Sequence, residues 1–286
     1  MLRKLTSYFG IFVFICFSFY YTDRAVDIIK RNDPIMKSIL NKANEFTVEP
    51  VNGIINYDEF ITGINGKEIN VNESYQNMKR INRYDESLLV FKDIFPVNVK
   101  DPHKYIVGSN KEKNEIALVF KVENSNNLDK VTDILLKRNI VATFFIDLGV
   151  MENNPEKIKS MVKDGYQIEN LGLEGRYTKE GLATTNKLLN TLTKRSLKYC
   201  YTEYKVKEIL DLCSSHNMYT IKPGIVANSN PFARVKRSLE SGSIISLNLN
   251  DRTIKELPLI ISYINQKGFQ LVLLEELLSG NLVSEQ

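Results

Sequence analysis

The chain contains no tryptophan, two histidines and three cysteines among 286 residues. With no indole present, a sugar ring could stack only on tyrosine or phenylalanine. With only His103 and His216, a metal centre built on two imidazoles is out of reach. His103 precedes the regular part of the chain, and His216 closes a predicted helix. Cys16 lies inside an apolar run, which leaves Cys200 and Cys213 able to pair outside the cell, although their spacing does not fix the geometry. Neither a G-x-G-x-x-G turn nor a P-loop occurs, so nothing supports a nucleotide fold. Charge of one sign is also missing. The 38 basic and 34 acidic residues leave a formal +4, which calls for no nucleic-acid partner and only permits attraction to anionic wall polymers or lipid. With 43% hydrophobic and 25% charged residues the composition is that of a globular protein.

Residues 1–22 read as a short cytoplasmic tip and a transmembrane anchor. Arg3 and Lys4 precede a run from Leu5 to Tyr21 that carries no charge and is dense in Phe, Ile, Val and Tyr. About 17 apolar residues are enough for a spanning helix, and the basic flank favours the cytoplasmic side. The run offers no small-x-small cleavage pattern, which favours an uncleaved, single-pass anchor with the bulk of the chain extracytoplasmic. Residues 23–46 read as a helical stalk, restarted by Asp33-Pro34. Residues 47–113 are rich in Asn, Gly and β-branched residues, with turn signals at Asn52-Gly53 and Asn65-Gly66, and read as a small α+β subdomain.

From Glu115 the pattern becomes regular. Strands are expected at Ile116–Phe120, Ile140–Ile146, Gln167–Leu171, Leu197–Cys200, Tyr219–Lys222, Ser243–Leu247 and Gln270–Leu274. Helices alternate with them, for example Leu128–Arg138, Lys179–Thr193 and Thr253–Gln266. Continuous apolar strands joined by short connections to helices argue for a parallel sheet covered on both faces, as a barrel or an open doubly wound sheet. The domain is expected over residues 114–280, followed by a tail at 281–286.

Glu115-Ile-Ala-Leu-Val-Phe120, Lys137-Arg-Asn-Ile-Val-Ala-Thr-Phe-Phe-Ile146, Lys163-Asp-Gly-Tyr-Gln-Ile168, Gly242-Ser-Ile-Ile245 and Lys267-Gly-Phe-Gln-Leu-Val272 follow one another in a familiar order. Together they resemble the polysaccharide deacetylase, or NodB homology, family. The resemblance implies a distorted parallel (β/α) barrel of the glycoside hydrolase/deacetylase type. It also implies metal-assisted amide hydrolysis, with one Asp and two His holding the ion, a second Asp as base and a late His as acid. The positions that match those motifs have lost them. Thr-Phe-Asp-Asp-Gly corresponds to Val119-Phe120-Lys121-Val122-Glu123, which puts Lys121 at the base and Val122 at the metal Asp. His-Ser/Thr-x-x-His corresponds to Leu171-Gly172-Leu173-Glu174-Gly175, so Leu171 and Gly175 replace the histidine ligands. Arg-Pro-Pro-Tyr-Gly corresponds to Lys198-Tyr199-Cys200-Tyr201-Thr202, and the late Leu-His to Leu247-Asn248. Hydrocarbon cannot ligate a cation, and an ammonium at Lys121 would repel one. No catalytic residue, bound metal or cofactor is therefore expected.

In such barrels the site lies at the C-terminal ends of the strands. Lys121, Glu123, Glu174, Arg176, Lys198, Tyr201, Lys222 and Asn248 are the candidate cleft residues, with Glu203, Tyr204, Asn250 and Asp251 nearby in sequence. Solvated loop residues joined by a few salt bridges would show the same pattern. The leading expectation is a catalytically silent domain that binds or scaffolds cell-wall polysaccharide or an envelope protein. One alternative is a hydrolase working through a Glu123–Glu174 carboxylate pair. A Cys200–His216 nucleophile pair is weaker, since no orienting acid is evident. Another alternative is a protein-interaction module carried by residues 47–113.

Overall fold

A computed structural model of the chain describes residues 12–14, 17, 28–97 and 101–279. The expected membrane span and the C-terminal tail lie almost wholly outside the described residues. Among the described residues no helix is long and apolar enough to cross a membrane.

The chain forms two units: one takes residues up to Glu49 together with Gly66–Ile94, and the other takes Pro50–Asn65 and everything from Phe95 onward. This differs from a stalk at 23–46 followed by a separate subdomain at 47–113. In the first unit, helix α1 (Pro34–Phe46) starts with Asp33 accepting the Ile35 N–H at 2.9 Å and with Pro at its first position. Ile35, Met36 and Ile39 fall at helical spacing and are buried, with Ile69, Tyr75 and Met78 in the same cluster. Those partners come from an antiparallel pair, β3 (Gly66–Ile69) with β4 (Phe91–Ile94), and from helix α2 (Val71–Ile81). The expected stalk is thus part of a small packed unit, because its apolar stripe needs a surface to bury against.

In the second unit the hairpin β1 (Ile54–Asn56)–β2 (Glu59–Thr62) pairs through β2 with β5 (Tyr105–Ser109) and extends the main sheet. From β5 the parallel order is β10 (Tyr219–Ile221), β9 (Tyr199–Tyr201), β8 (Gln167–Asn170), β7 (Thr143–Ile146), β6 (Glu115–Val122), β12 (Ile244–Asn248) and β11 (Ile225–Val226), with β13 (Gln270–Val272) also on β6. The sheet curls into a half-barrel. Its two sides approach where Ser109 N–H donates to the Gly242 carbonyl at 2.8 Å. Gly242 has φ +79°, and a Cβ there would run into the Ser109 carbonyl, so this approach requires glycine.

The central strands read as continuous apolar runs because both faces are covered. On β6, Ile116, Leu118, Phe120 and Val122 join the outer core, while Ala117 and Val119 join the inner one. The outer core is covered by α3 (Leu128–Leu136), α5 (Pro155–Lys163), α6 (Lys179–Thr193), α8 (Pro231–Ser238) and α9 (Asp251–Gln266). An unexpected short helix, α4 (Leu148–Asn153), follows β7, with Asp147 accepting the Gly149 N–H at 2.9 Å. Cys200 of β9 and Cys213 of α7 (Lys207–Ser214) form a buried disulfide, which settles the pairing that spacing left open. Helix α10 (Leu274–Leu277) closes the N-terminal end of the sheet, placing Leu274, Leu277 and Leu278 in the inner core.

Candidate functional site

Strand alternation decides which motif residues reach the cleft. Lys121 follows Ala117 and Val119 on the inner face of β6 and lies in register with Asn248 of β12 and Phe145 of β7. Its ammonium meets Glu123 Oε1 at 2.9 Å and Glu203 Oε1 at 3.4 Å. Glu203 also accepts from Asn228 Nδ2 at 3.3 and 3.4 Å and from the Tyr201 hydroxyl at 3.4 Å. The Tyr201 hydroxyl lies 2.6 Å from Ser246 Oγ. Burial opposes the charge on Lys121, but the Glu123 hydrogen bond and the Glu203 charge outweigh it, so its pKa is raised. Burial pushes the Tyr201 phenol far up, which keeps it a neutral hydrogen-bonding group. Asn248 Oδ1 is buried without a partner.

The positions that the resemblance assigns to the metal are spread over different environments. Val122 does not face the cleft. Strand β6 runs through it, so alternation turns it to the helix-covered face, fully buried in the outer core. Leu171 faces inward, in the inner core with Phe145 and Tyr201, whose rings stand 5.2 Å apart. Gly175 and Glu174 form the tip of a two-residue turn with φ of 73° and 51°, closed by reciprocal Leu173–Arg176 backbone hydrogen bonds of 2.8 and 2.9 Å. The Asp147 carboxylate steadies that turn by accepting the Glu174 N–H at 2.6 Å. An ammonium, an isobutyl group and a glycine do not fit a divalent cation. Among the described residues no group of three or more His, Cys, Asp or Glu is placed to hold one.

The remaining candidates divide. Lys198 precedes β9 and bonds Glu275 of α10 at 3.3 Å, so it sits at the N-terminal end of the sheet, opposite the cleft. Lys222 pairs with Glu59 at 3.2 Å in a separate cluster with Lys205 and Asp58. Glu174 and Arg176 lie on the exposed turn, while Glu123 is engaged by Lys121. Tyr204 is exposed. Asn250 caps α9 by accepting the Thr253 N–H at 2.8 Å, and Asp251 accepts from Asn127. Cys200 has no thiol to offer as a nucleophile, and His216 Nδ1 is held by the Leu212 carbonyl at 2.9 Å.

Four contributors carried no sequence signal beyond being polar. Asn228 and Ser246 hold the cleft network. The buried Tyr177 hydroxyl donates to the Asn170 carbonyl and accepts the Tyr201 N–H, both at 2.8 Å. Glu169 is wholly buried and accepts from Gln167 Nε2 at 2.8 Å and from the Lys198 and Tyr199 N–H groups at 3.0 Å. Burial lifts its pKa to about 7 against those donors.

A curled parallel sheet with an inward-facing strand-end cleft is the architecture of carbohydrate deacetylases, and residues 108–198 match the polysaccharide deacetylase family model. Over those residues the chain is similar to that family, with Lys121 and Leu171 at motif positions. Protein YlxY of Bacillus subtilis strain 168 is 27% identical over 278 residues, covering 88% of this chain and 86% of that protein. Among solved structures, wild-type BA3943 from Bacillus anthracis, described as a CE4 family pseudoenzyme, superposes with a TM-score of 0.64 at 21% identity, covering 86% of this chain and 95% of that one. A BA3943 mutant with restored enzymatic activity gives 0.65 at 20% identity, covering 85% and 97%. Bacillus subtilis PdaA, a family 4 carbohydrate esterase, gives 0.54 at 17% identity over 61% of this chain and 85% of that one.

Proposed function

We propose that this protein is a catalytically silent, deacetylase-like glycan-binding protein held at the outer face of a cell membrane, where it binds or scaffolds cell-wall polysaccharide. The observation that carries the reading is the Lys121 clamp. A cation paired with Glu123 and Glu203 occupies the place where the family's base would act, and Leu171 stands in place of a ligand. The chemistry of these groups supports a site with neither metal nor hydrolytic step. The partly exposed amides around it, Asn228 and Asn248, are of the kind that engage sugar hydroxyls, with the buried Tyr201–Ser246 pair behind them.

Two features support an extracytoplasmic location. The uncharged run from Leu5 to Tyr21 behind Arg3 and Lys4 suits an anchor. The Cys200–Cys213 disulfide suits an oxidising compartment. The test is co-sedimentation of the full chain, in detergent micelles, with insoluble peptidoglycan and with an unrelated insoluble glycan, cellulose. Retention on peptidoglycan that falls severalfold in Lys121→Ala and Tyr201→Phe is expected. Equal pelleting of the variants and the parent would remove the cleft from the account, and no pelleting would remove glycan binding.

A further inference from the structure

We propose that a second pocket, sharing Asn228 with the cleft, is a subsite for the anionic group, carboxylate or phosphate, of a polyhydroxylated ligand. It has a volume near 380 Å³ and is walled by Val226, Asn228, Ser229 and Asn230 before α8 and by Arg234 and Arg237 on it. No acid lines it. Neither guanidinium hydrogen-bonds or ion-pairs with any described residue, although Arg234 is half-buried. This contrasts with the neighbouring Arg252, which reaches the Ser229 carbonyl at 2.8 Å and Glu256 at 3.3 Å. The start of α8 is itself served from within, since Glu256 Oε2 accepts the Phe232 N–H at 2.9 Å. What remains uncompensated is the arginine pair, three residues apart on one helical face, whose planar forks suit carboxylate or phosphate oxygens.

Asn228 supplies the second observation. Its amide orientation is set by donation from Nδ2 to both Glu203 oxygens, which leaves Oδ1 as a buried acceptor without a partner. A buried orphan acceptor next to two cations is best met by a ligand that offers a hydroxyl donor beside its negative charge. Beyond Asn228 the cleft holds two carboxylates against one ammonium, so charge alone directs an anion to the arginine side. The inference deepens the glycan-binding reading and names the ligand as an acidic sugar rather than a neutral one.

The test uses the full chain in detergent micelles and ligand-observed saturation-transfer NMR with glucose 6-phosphate, glucuronate, glucose and inorganic phosphate. At least one charged sugar should bind about tenfold more tightly than glucose, the scale of one charge-assisted hydrogen bond. That preference should vanish in Arg234→Gln/Arg237→Gln and weaken as salt is raised. The phosphate and uronate arms distinguish the two sources of charge. Equal affinity for glucose and both charged sugars, or an unchanged preference in the double variant, would overturn the proposal. Inorganic phosphate binding as tightly as glucose 6-phosphate would overturn its polyhydroxyl part. Peptidoglycan pelleting that depends on Lys121, with no charged-sugar preference, leaves the cleft standing and removes only this subsite. Arginine-dependent binding of a charged sugar without peptidoglycan pelleting does the reverse.

Discussion

Replacing Val122 by aspartate is the smallest step toward the family's ligand set, and the structure predicts that it unfolds rather than repairs. Val122 is wholly buried among apolar side chains of the outer core. Removing a buried valine side chain from that environment forfeits about 1.5–3 kcal/mol of transfer free energy. A carboxyl group with no donor nearby adds about 1–3 kcal/mol, and more if it stays ionised. The sum, about 2.5–6 kcal/mol, is a large share of an ordinary domain's stability. Val122→Ala, which only removes two methyls, should cost about 2 kcal/mol. Urea denaturation of the full chain in micelles, followed by far-UV circular dichroism because there is no tryptophan to report, measures both. A Val122→Asp midpoint within experimental error of the parent, or one raised by zinc, would mean that the side chain reaches the cleft and does not face the outer core.

Three further outcomes follow from buried groups. Glu169 has its pKa raised by burial from 4.5 to about 7. The folded state therefore holds the proton more tightly than the unfolded chain, and stability should fall by about 3 kcal/mol as pH rises from 4.5 through 7, then level off. Denaturation midpoints measured across that range should show this slope in the parent and lose it in Glu169→Gln. Reducing the disulfide, whose half-cystines lie 13 residues apart, should cost about 3 kcal/mol by loop-closure entropy. Urea curves with and without reductant check this, and superimposable curves would contradict it. Lys121→Met keeps the length of the stem but leaves Glu203 without its cation, and should cost about 2 kcal/mol. Lys121→Met/Glu203→Gln should recover part of that loss, with non-additivity read from the double-mutant cycle.

Much of the sheet was legible because β6, β7 and β12 are apolar on both faces, a pattern that solvent-facing strands do not show. The residue types at Lys121, where the resemblance puts the base, and at Leu171, where it puts a ligand, were legible without coordinates. The orientation of Val122 was not. Adjacency in a motif says nothing about whether the strand continues, and here it does, so neighbouring residues part to opposite faces. Lys198 was assigned to the wrong end of its strand because β9 begins one residue after it. Residues 50–65 carry turn signals typical of a small separate unit, yet their hairpin docks on β5, a pairing decided by long-range contact. Asn228, Ser246 and Glu169 are lone polar residues outside any motif: Asn228 meets Glu203 and Ser246 meets Tyr201 only in the folded sheet, and Glu169 is met by Gln167 on its own strand and by the start of the neighbouring one.

The most direct measurement of the central claim is zinc titration of the full chain by calorimetry, run beside acetate release from an acetylated chitooligosaccharide. The account predicts no stoichiometric zinc binding at micromolar protein and no acetate above the protein-free control. One zinc per chain with accompanying acetate release, both abolished by chelation, would contradict it.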